Sequence, residues 1–262
     1  MSFPGRLLSI PLRLLPVSNK QLYRLCRYCV DRYNGDNNAN IHTNGELHFM
    51  HRMVPGCHTV FDVGANIGEW ATLALDINSS LDLHCFEPSH STYQQLLAKS
   101  LPPNVTCNNL AFGSRQEEKT LYVFQEFSTM NSLYQRQGLE DGWGIAPPQH
   151  TERIWLDTID HYCWERGIRT IDFLKVDVEG HELEVFIGAR EMLSKGQIRY
   201  VQFEYGGCYI DARVLLKDVF EFFQSLGYAL YKIYPQSIRL IGRYDQRLEN
   251  FQYQNWIAMR AH

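Results

Sequence analysis

The sequence predicts an α/β fold built on a doubly wound, mostly parallel sheet, and three observations predict it. Short apolar runs of strand length alternate with helix-length segments from Thr59 to Tyr234. Such alternation places helices on both faces of a parallel sheet. The first run, Thr59–Val63, closes on a glycine turn, Asp62-Val63-Gly64-Ala65-Asn66-Ile67-Gly68. At 262 residues, 45% of them hydrophobic, the chain is long enough for one such domain with a small appendage.

In chain order, Leu22–Tyr33 has a helical pattern that Asn34-Gly35-Asp36-Asn37-Asn38 breaks. A second helix starts near Asn44-Gly45-Glu46, runs to Met53 and stops at Pro55-Gly56. Thr59–Val63 suits a buried parallel strand, followed by a helix over Glu69–Asp76. Strand Asp82–Phe86, helix Ser91–Lys99 and strand Val105–Cys107 continue the alternation, and Lys119–Phe124 has a more antiparallel character. Strand Ile171–Val176 ends at Asp177; helix His181–Leu193, strand Ile198–Glu204, helix Val214–Leu226 and strand Tyr228–Tyr234 follow. Gln252–Met259 reads as an edge strand. Gln125–His150, with Gly138, Gly142, Gly144 and Pro147-Pro148 and no steady period, reads as a lid. The expected organisation is an N-terminal helical extension over 1–54 and a ligand-binding domain over 55–262 with its lid at about 125–150.

Composition narrows the partners. The formal net charge is −4 and the 25 Lys and Arg are dispersed, so no nucleic-acid partner is expected. Seven cysteines, an odd number, with Cys85 and Cys107 in strand-like runs, fit reduced core thiols in a cytoplasmic protein. Cys26 and Cys29 form a lone CxxC on a helical pattern without a second pair at zinc spacing. Phe3–Val17 is apolar but interrupted by Arg6, Arg13 and three prolines. It is too short and broken for a transmembrane segment, and no cleavage site follows. With Lys20, Arg24, Arg27 and Arg32 nearby, weak contact with an anionic membrane surface is one reading. A helical extension packed over the main domain is the preferred one.

Gly64 permits a tight turn and close backbone approach to a ligand, and Gly68 lets the next helix pack near the strand. The spacing is GxxxG, not the GxGxxG of a dinucleotide fold, and a P-loop's Lys and Ser/Thr are missing. Glu87 stands twenty-five residues after Asp62, behind the apolar strand Leu83-His84-Cys85-Phe86. There it can accept hydrogen bonds from both ribose hydroxyls; capping the helix that begins at Pro88 is the competing role. Turn and acid on consecutive strands point together to an adenosyl ligand.

These strings, with Asn109-Leu110-Ala111-Phe112-Gly113 and Leu174-Lys175-Val176-Asp177-Val178-Glu179-Gly180-His181-Glu182, resemble the FkbM family of S-adenosylmethionine-dependent methyltransferases. Four motifs in order span about residues 45–234; the first 40 residues lie outside. The resemblance implies a Rossmann-like, seven-stranded methyltransferase sheet and S-adenosyl-L-methionine as cofactor. It implies O-methylation of a hydroxyl on a sugar, glycan or natural product. The turn of Asp62, Gly64, Ala65, Asn66 and Gly68 would hold the methionyl part, Glu87 the ribose, and Asn109 to Ala111 the adenine.

Methyl transfer is an in-line displacement at a sulfonium carbon, so the protein must align the acceptor and remove its proton. A hydroxyl needs a base or a metal for this. Asp177, at the end of the fourth parallel strand, adjoins the expected cofactor, and Glu204 ends the next strand. Either His181 or Asp177 is the base: imidazole has the better matched pKa, and Asp177 would need burial to raise its own. Alternatively Asp177 and Glu204 hold a divalent cation such as magnesium. Glu182 reads as a helix-terminus charge, and His48, His51 and His84 as structural or surface groups. Ser128-Thr129-Met130-Asn131-Ser132 is a polar stretch able to touch substrate or cofactor, and Trp143 and Trp155 could stack on sugar rings. A non-catalytic cofactor-binding subunit, or an enzyme acting on protein or nucleic acid, are the competing classes. The latter lacks the Asp/Asn-Pro-Pro-aromatic string at the fourth strand, where Asp177-Val178-Glu179-Gly180 stands. The oligomeric state, monomer or dimer, stays open.

Overall fold

A computed structural model describes residues 18–124, 129–139 and 144–260. Helices α1 (Lys20–Asn34) and α2 (Glu46–Met53) precede strand β1 (Thr59–Val63) and helix α3 (Glu69–Ile77). Strand β2 (Asp82–Phe86), helix α4 (His90–Ala98) and strand β3 (Val105–Asn108) follow. Then come β4 (Ala111–Phe112), β5 (Glu117–Val123), β6 (His150–Asp157), α5 (Ile159–Arg166) and β7 (Ile171–Val176). The remainder is α6 (Glu182–Ile187), α7 (Arg190–Ser194), β8 (Ile198–Tyr205), α8 (Cys208–Ala212), α9 (Leu216–Ser225), β9 (Tyr228–Tyr234), β10 (Ser237–Leu240) and β11 (Gln254–Arg260).

The main sheet has the order β10-β9-β11-β8-β7-β1-β2-β3, and β8-β7-β1-β2-β3 pair in parallel. The fold is the Rossmann-like α/β sheet that was expected, with an eighth strand, β10, added as a hairpin partner of β9. All five residues of β1 are buried, because both faces are covered. Phe61 and Val63 enter one core with Leu174, Val176 and Phe203, while Val60 enters the other with Phe173, Trp70 and Ile257. The strand's period of two divides its side chains between two cores.

Four readings need correction. Strand β11 is not an edge: it lies between β8 and β9, antiparallel to both, with Trp256, Ile257 and Ala258 fully buried. Consecutive apolar residues on both faces require cover on both sides. The predicted helix His181–Leu193 is two short helices. A β-carbon at Gly188 would fall 2.0 Å from the Gly113 carbonyl oxygen, and that close approach marks the break between α6 and α7. The predicted lid ends in a strand: β6 pairs antiparallel with β5 and parallel with β4 in a separate three-stranded sheet. Its alternation is masked because half-buried Glu152 takes a place on the apolar side with Ile154 and Leu156, opposite exposed Arg153 and Trp155. Among the described residues of the N-terminal segment, finally, the second helix packs and the first does not.

Helix α2 contributes Phe49 and Met50 to the second core, and buried Asp36 pairs with buried Lys232 of β9 (2.5 Å). Burying Phe49 and Met50 contributes about 1.5–3 kcal/mol each. Helix α1, by contrast, has no buried residue. Phe3–Val17, Ser128 and Trp143 lie outside the described residues. All seven cysteines are free, with Cys26 and Cys29 exposed on α1. No helix among the described residues is long and apolar enough to cross a membrane.

Candidate active site

The carboxyl edge of the parallel strands is drawn together at one point. Gly64, at φ +82°, turns the chain out of β1, and the N–H groups of Gly64 and Ala65 both donate to the Phe86 carbonyl (3.0 Å each). A β-carbon on Gly64 would sit 1.8 Å from the Asp177 carbonyl oxygen, so no side chain fits between the ends of β1 and β7. Beyond it, Asn66 is also left-handed (φ +48°), which turns its N–H onto Glu87 Oε2 at 3.0 Å. Ser89 N–H donates to Glu87 Oε1 at 2.9 Å. Burial pushes the Glu87 carboxyl up to about 7 against the pull of those two N–H groups. Each oxygen keeps a further lone pair for a ligand hydroxyl.

Around this acid lies a cavity lined by Gly64, Asn66, Glu87 and Asp177 on its polar side. Its apolar side comes from Leu110 and Phe112 and, from the small sheet, Leu121 and Ile154. Ala111, Glu179 and His181 also line it, as do Thr129 and Asn131 from the predicted lid. Asn109 does not line it: its amide nitrogen donates to the carbonyls of Glu87 and Pro88 (2.9 Å each) and holds the turn. Ala65 is buried and the Gly68 position abuts Leu96, so both support the turn from behind.

Behind the cavity floor is a buried charge network. Asp62 is fully buried, and its nearest cation is Lys175 on the neighbouring strand, 3.4 Å away. The Lys175 ammonium is also 3.2 Å from Asp177 Oδ2. Burial pulls the lysine's pKa down, but Asp177, Asp62, Glu46 and Glu204 outweigh it and hold the ammonium charged. Glu46 of α2 accepts hydrogen bonds from Gln202 and from Asn44 (3.2 Å). Glu204 accepts from the Tyr253 hydroxyl at 2.7 Å, and burial pushes its carboxyl well up.

The loop Asp177–His181 is clasped from the lid side. Arg136 donates to Glu179 at 2.8 Å, Ser132 Oγ donates to the Glu179 carbonyl at 2.8 Å, and the Tyr134 hydroxyl meets His181 Nδ1 at 2.8 Å. Burial pushes Glu179 up to about 8 and drives His181 down to about 3. Burial thus favours the neutral ring for His181, whose Nε2 has no hydrogen-bond partner among the described residues. Glu182 does not act as a helix-terminus charge alone: it accepts the N–H groups of Val178 and Gly180 (3.0 Å each) and fixes the loop.

The structure thus gathers Gly64, Asn66, Glu87, Ala111, Asp177 and His181 at one cavity and leaves Glu204 outside its lining. The magnesium reading is not supported: Asp177 faces Lys175, Glu204 faces Tyr253. Among the described residues the one set of three such donors within mutual reach is Asp157, His161 and Glu165. Trp155 is 51% exposed and does not line the cavity. Lys175, Glu46, Gln202 and Tyr253 went unseen in the sequence; an ionisable Lys175 between the apolar Leu174 and Val176 of β7 was the signal for the first.

This fold and this cradle place the chain in the class of S-adenosylmethionine-dependent methyltransferases. The cradle fits the cofactor through a turn that admits no β-carbon at Gly64, a buried acid with free lone pairs, and an apolar slot beside it. More particularly, the chain belongs to the family described as the methyltransferase FkbM domain, which matches residues 62–230. It is similar to the 2-O-methyltransferase NoeI of Sinorhizobium fredii (strain NBRC 101917 / NGR234), 23% identical over 157 residues. That match spans 55% of this chain and 62% of the relative's length. A solved methyltransferase FkbM from Methylobacillus flagellatus KT is 15% identical, with a TM-score of 0.47 over 77% of this chain and 43% of that one. Aeropyrum pernix fibrillarin, solved with natively bound S-adenosyl-L-methionine, is 12% identical, with a TM-score of 0.41 over 78% and 66%.

Proposed function

We propose that this methyltransferase is an O-methyltransferase whose acceptor is a hydroxyl of a sugar, glycan or natural product. The observation that carries the reading is Asp177: it lines the cavity, keeps 28% of its side chain exposed, and stands beside the Lys175 ammonium. The other two acids of the lining are engaged, Glu87 by two backbone N–H groups and Glu179 by Arg136.

The bound cofactor supplies an activated methyl group, so the chain's task is alignment and proton removal. Gly64 to Asn66 present backbone to the methionyl part, Glu87 accepts from the ribose hydroxyls, and Leu110, Phe112, Leu121 and Ile154 enclose the adenine. Asp177 receives the acceptor hydroxyl and takes its proton, held in orientation by Lys175. Neutral His181 offers Nε2 to the ligand and ties the loop to Tyr134. The likeness to a 2-O-methyltransferase supports a hydroxyl acceptor, and the net charge of −4 supports a small or glycan acceptor over nucleic acid.

The test is transfer of a labelled methyl group to a panel of mono- and oligosaccharides. Asp177→Asn should lower kcat by about 10²–10⁴-fold while cofactor affinity stays within a few-fold. Transfer restricted to amines, or unchanged turnover in Asp177→Asn, would sink the reading.

A further inference from the structure

We infer that α1 is a docking helix for an anionic lipid surface. A helix attached to a domain normally turns its apolar face inward; α1 does the reverse. At 100° per residue Leu22, Leu25, Cys26, Cys29, Val30 and Tyr33 share one face. Of these, Leu25 is 61%, Val30 54% and Tyr33 82% exposed. The helix meets the domain through its polar edge instead: Arg27 pairs with Asp31 and hydrogen-bonds Gln252, which also accepts from Asn37 at 2.9 Å.

Charge identifies the occupant of that face. Residues 1–34 carry six Lys or Arg and one Asp, while the rest of the chain carries 19 against 28 acids. By the same count exposed Arg32 borders the apolar stripe, where its stem can lie along it and its head reach headgroups, while exposed Lys20 and Arg24 stand on the helix's polar side. The preceding Phe3–Val17 segment is Leu-rich, holds Arg6 and Arg13, and has no acidic residue. A cationic amphipathic helix on an otherwise acidic domain is complementary to anionic lipid. A second copy of the chain fits less well, because a two-fold pairing would set these cations against each other.

The experiment is co-flotation of the full chain with phosphatidylcholine vesicles containing or lacking 30% phosphatidylglycerol. Binding to the anionic vesicles should be at least tenfold stronger and should fall sharply in high salt. The double variant L25S/V30S and, separately, Arg24→Glu with Arg32→Glu should each abolish it. Cofactor affinity should be unchanged in both variants, which shows that they fold. Equal partition into both vesicle types, no partition, or a dimer in light scattering that L25S/V30S dissolves would each overturn the inference. None of these outcomes depends on the acceptor or on Asp177.

Discussion

The two halves of the site are built on different principles. The cofactor half, from β1 to β4, works through backbone: two left-handed residues, N–H groups on Phe86 O and Glu87, and a glycine pressed against Asp177. The charged half behind the cavity floor works through side chains collected from distant places, with Lys175 set among Asp62, Asp177, Glu46 and Glu204. A backbone cradle tolerates almost no change at the residue that defines it. A side-chain network tolerates change if charge is removed in pairs. Substitutions can break or sharpen that contrast.

The largest effect is expected at Gly64→Val. It places a branched side chain where a first carbon already falls 1.8 Å from backbone, at φ +82°, and should cost more than about 4 kcal/mol and abolish cofactor binding by calorimetry. Lys175→Met comes next. It strands fully buried Asp62, whose nearest cation it removes, and should cost about 3–5 kcal/mol in urea denaturation. Adding Asp62→Asn should recover much of the loss, and a merely additive double variant would contradict the network picture.

Glu87→Gln should weaken cofactor binding about 10- to 100-fold, the loss of a charged hydrogen-bond acceptor. Unchanged affinity would remove Glu87 from the ribose role. Solution pH probes both halves together. Glu87 and Glu182 are pushed up to about 7 and Glu179 to about 8, so the folded state holds protons that the unfolded chain releases near 4.5. His181, driven down to about 3, contributes stability that is complete above its unfolded pKa of about 6.5 and is lost only below it. Between pH 6.5 and 8 these acids act, and His161, raised by its hydrogen bond to Asp157, acts in the same direction. The urea midpoint of the cofactor-free protein should fall as pH rises, by on the order of 2 kcal/mol. A flat or rising profile would contradict the burial of these acids. The smallest effect belongs to Tyr134→Phe, which leaves His181 Nδ1 unpaired and should cost about 1 kcal/mol in the same measurement.

The contrast between the halves also explains what could be read early. Asp62–Gly68 and Glu87 are local: a glycine's conformational freedom and an acid's place after a strand are written in consecutive residues. Asn109 came into the expected adenine contact with the stretch Asn109 to Ala111 through the family resemblance, whereas its amide turns back to hold Glu87 and Pro88. His181 was legible as a site residue but not as a neutral one, since burial set its pKa. Strand β6, which begins where the expected lid ends, went unread because the half-buried acid Glu152 interrupts its apolar side.

By itself the sequence determined the alternating α/β architecture, the glycine turn after β1, and the acid that follows β2. Those are properties of neighbouring residues and of hydrophobic period. Only the tertiary structure decided that Glu46 of α2 and Tyr253 would meet Gln202 and Glu204, or that β11 would enter the sheet between β8 and β9. Nothing local marks a hydrogen bond across 156 residues, because it forms only when separate elements bury their faces against one another. The same packing left the apolar face of α1 uncovered.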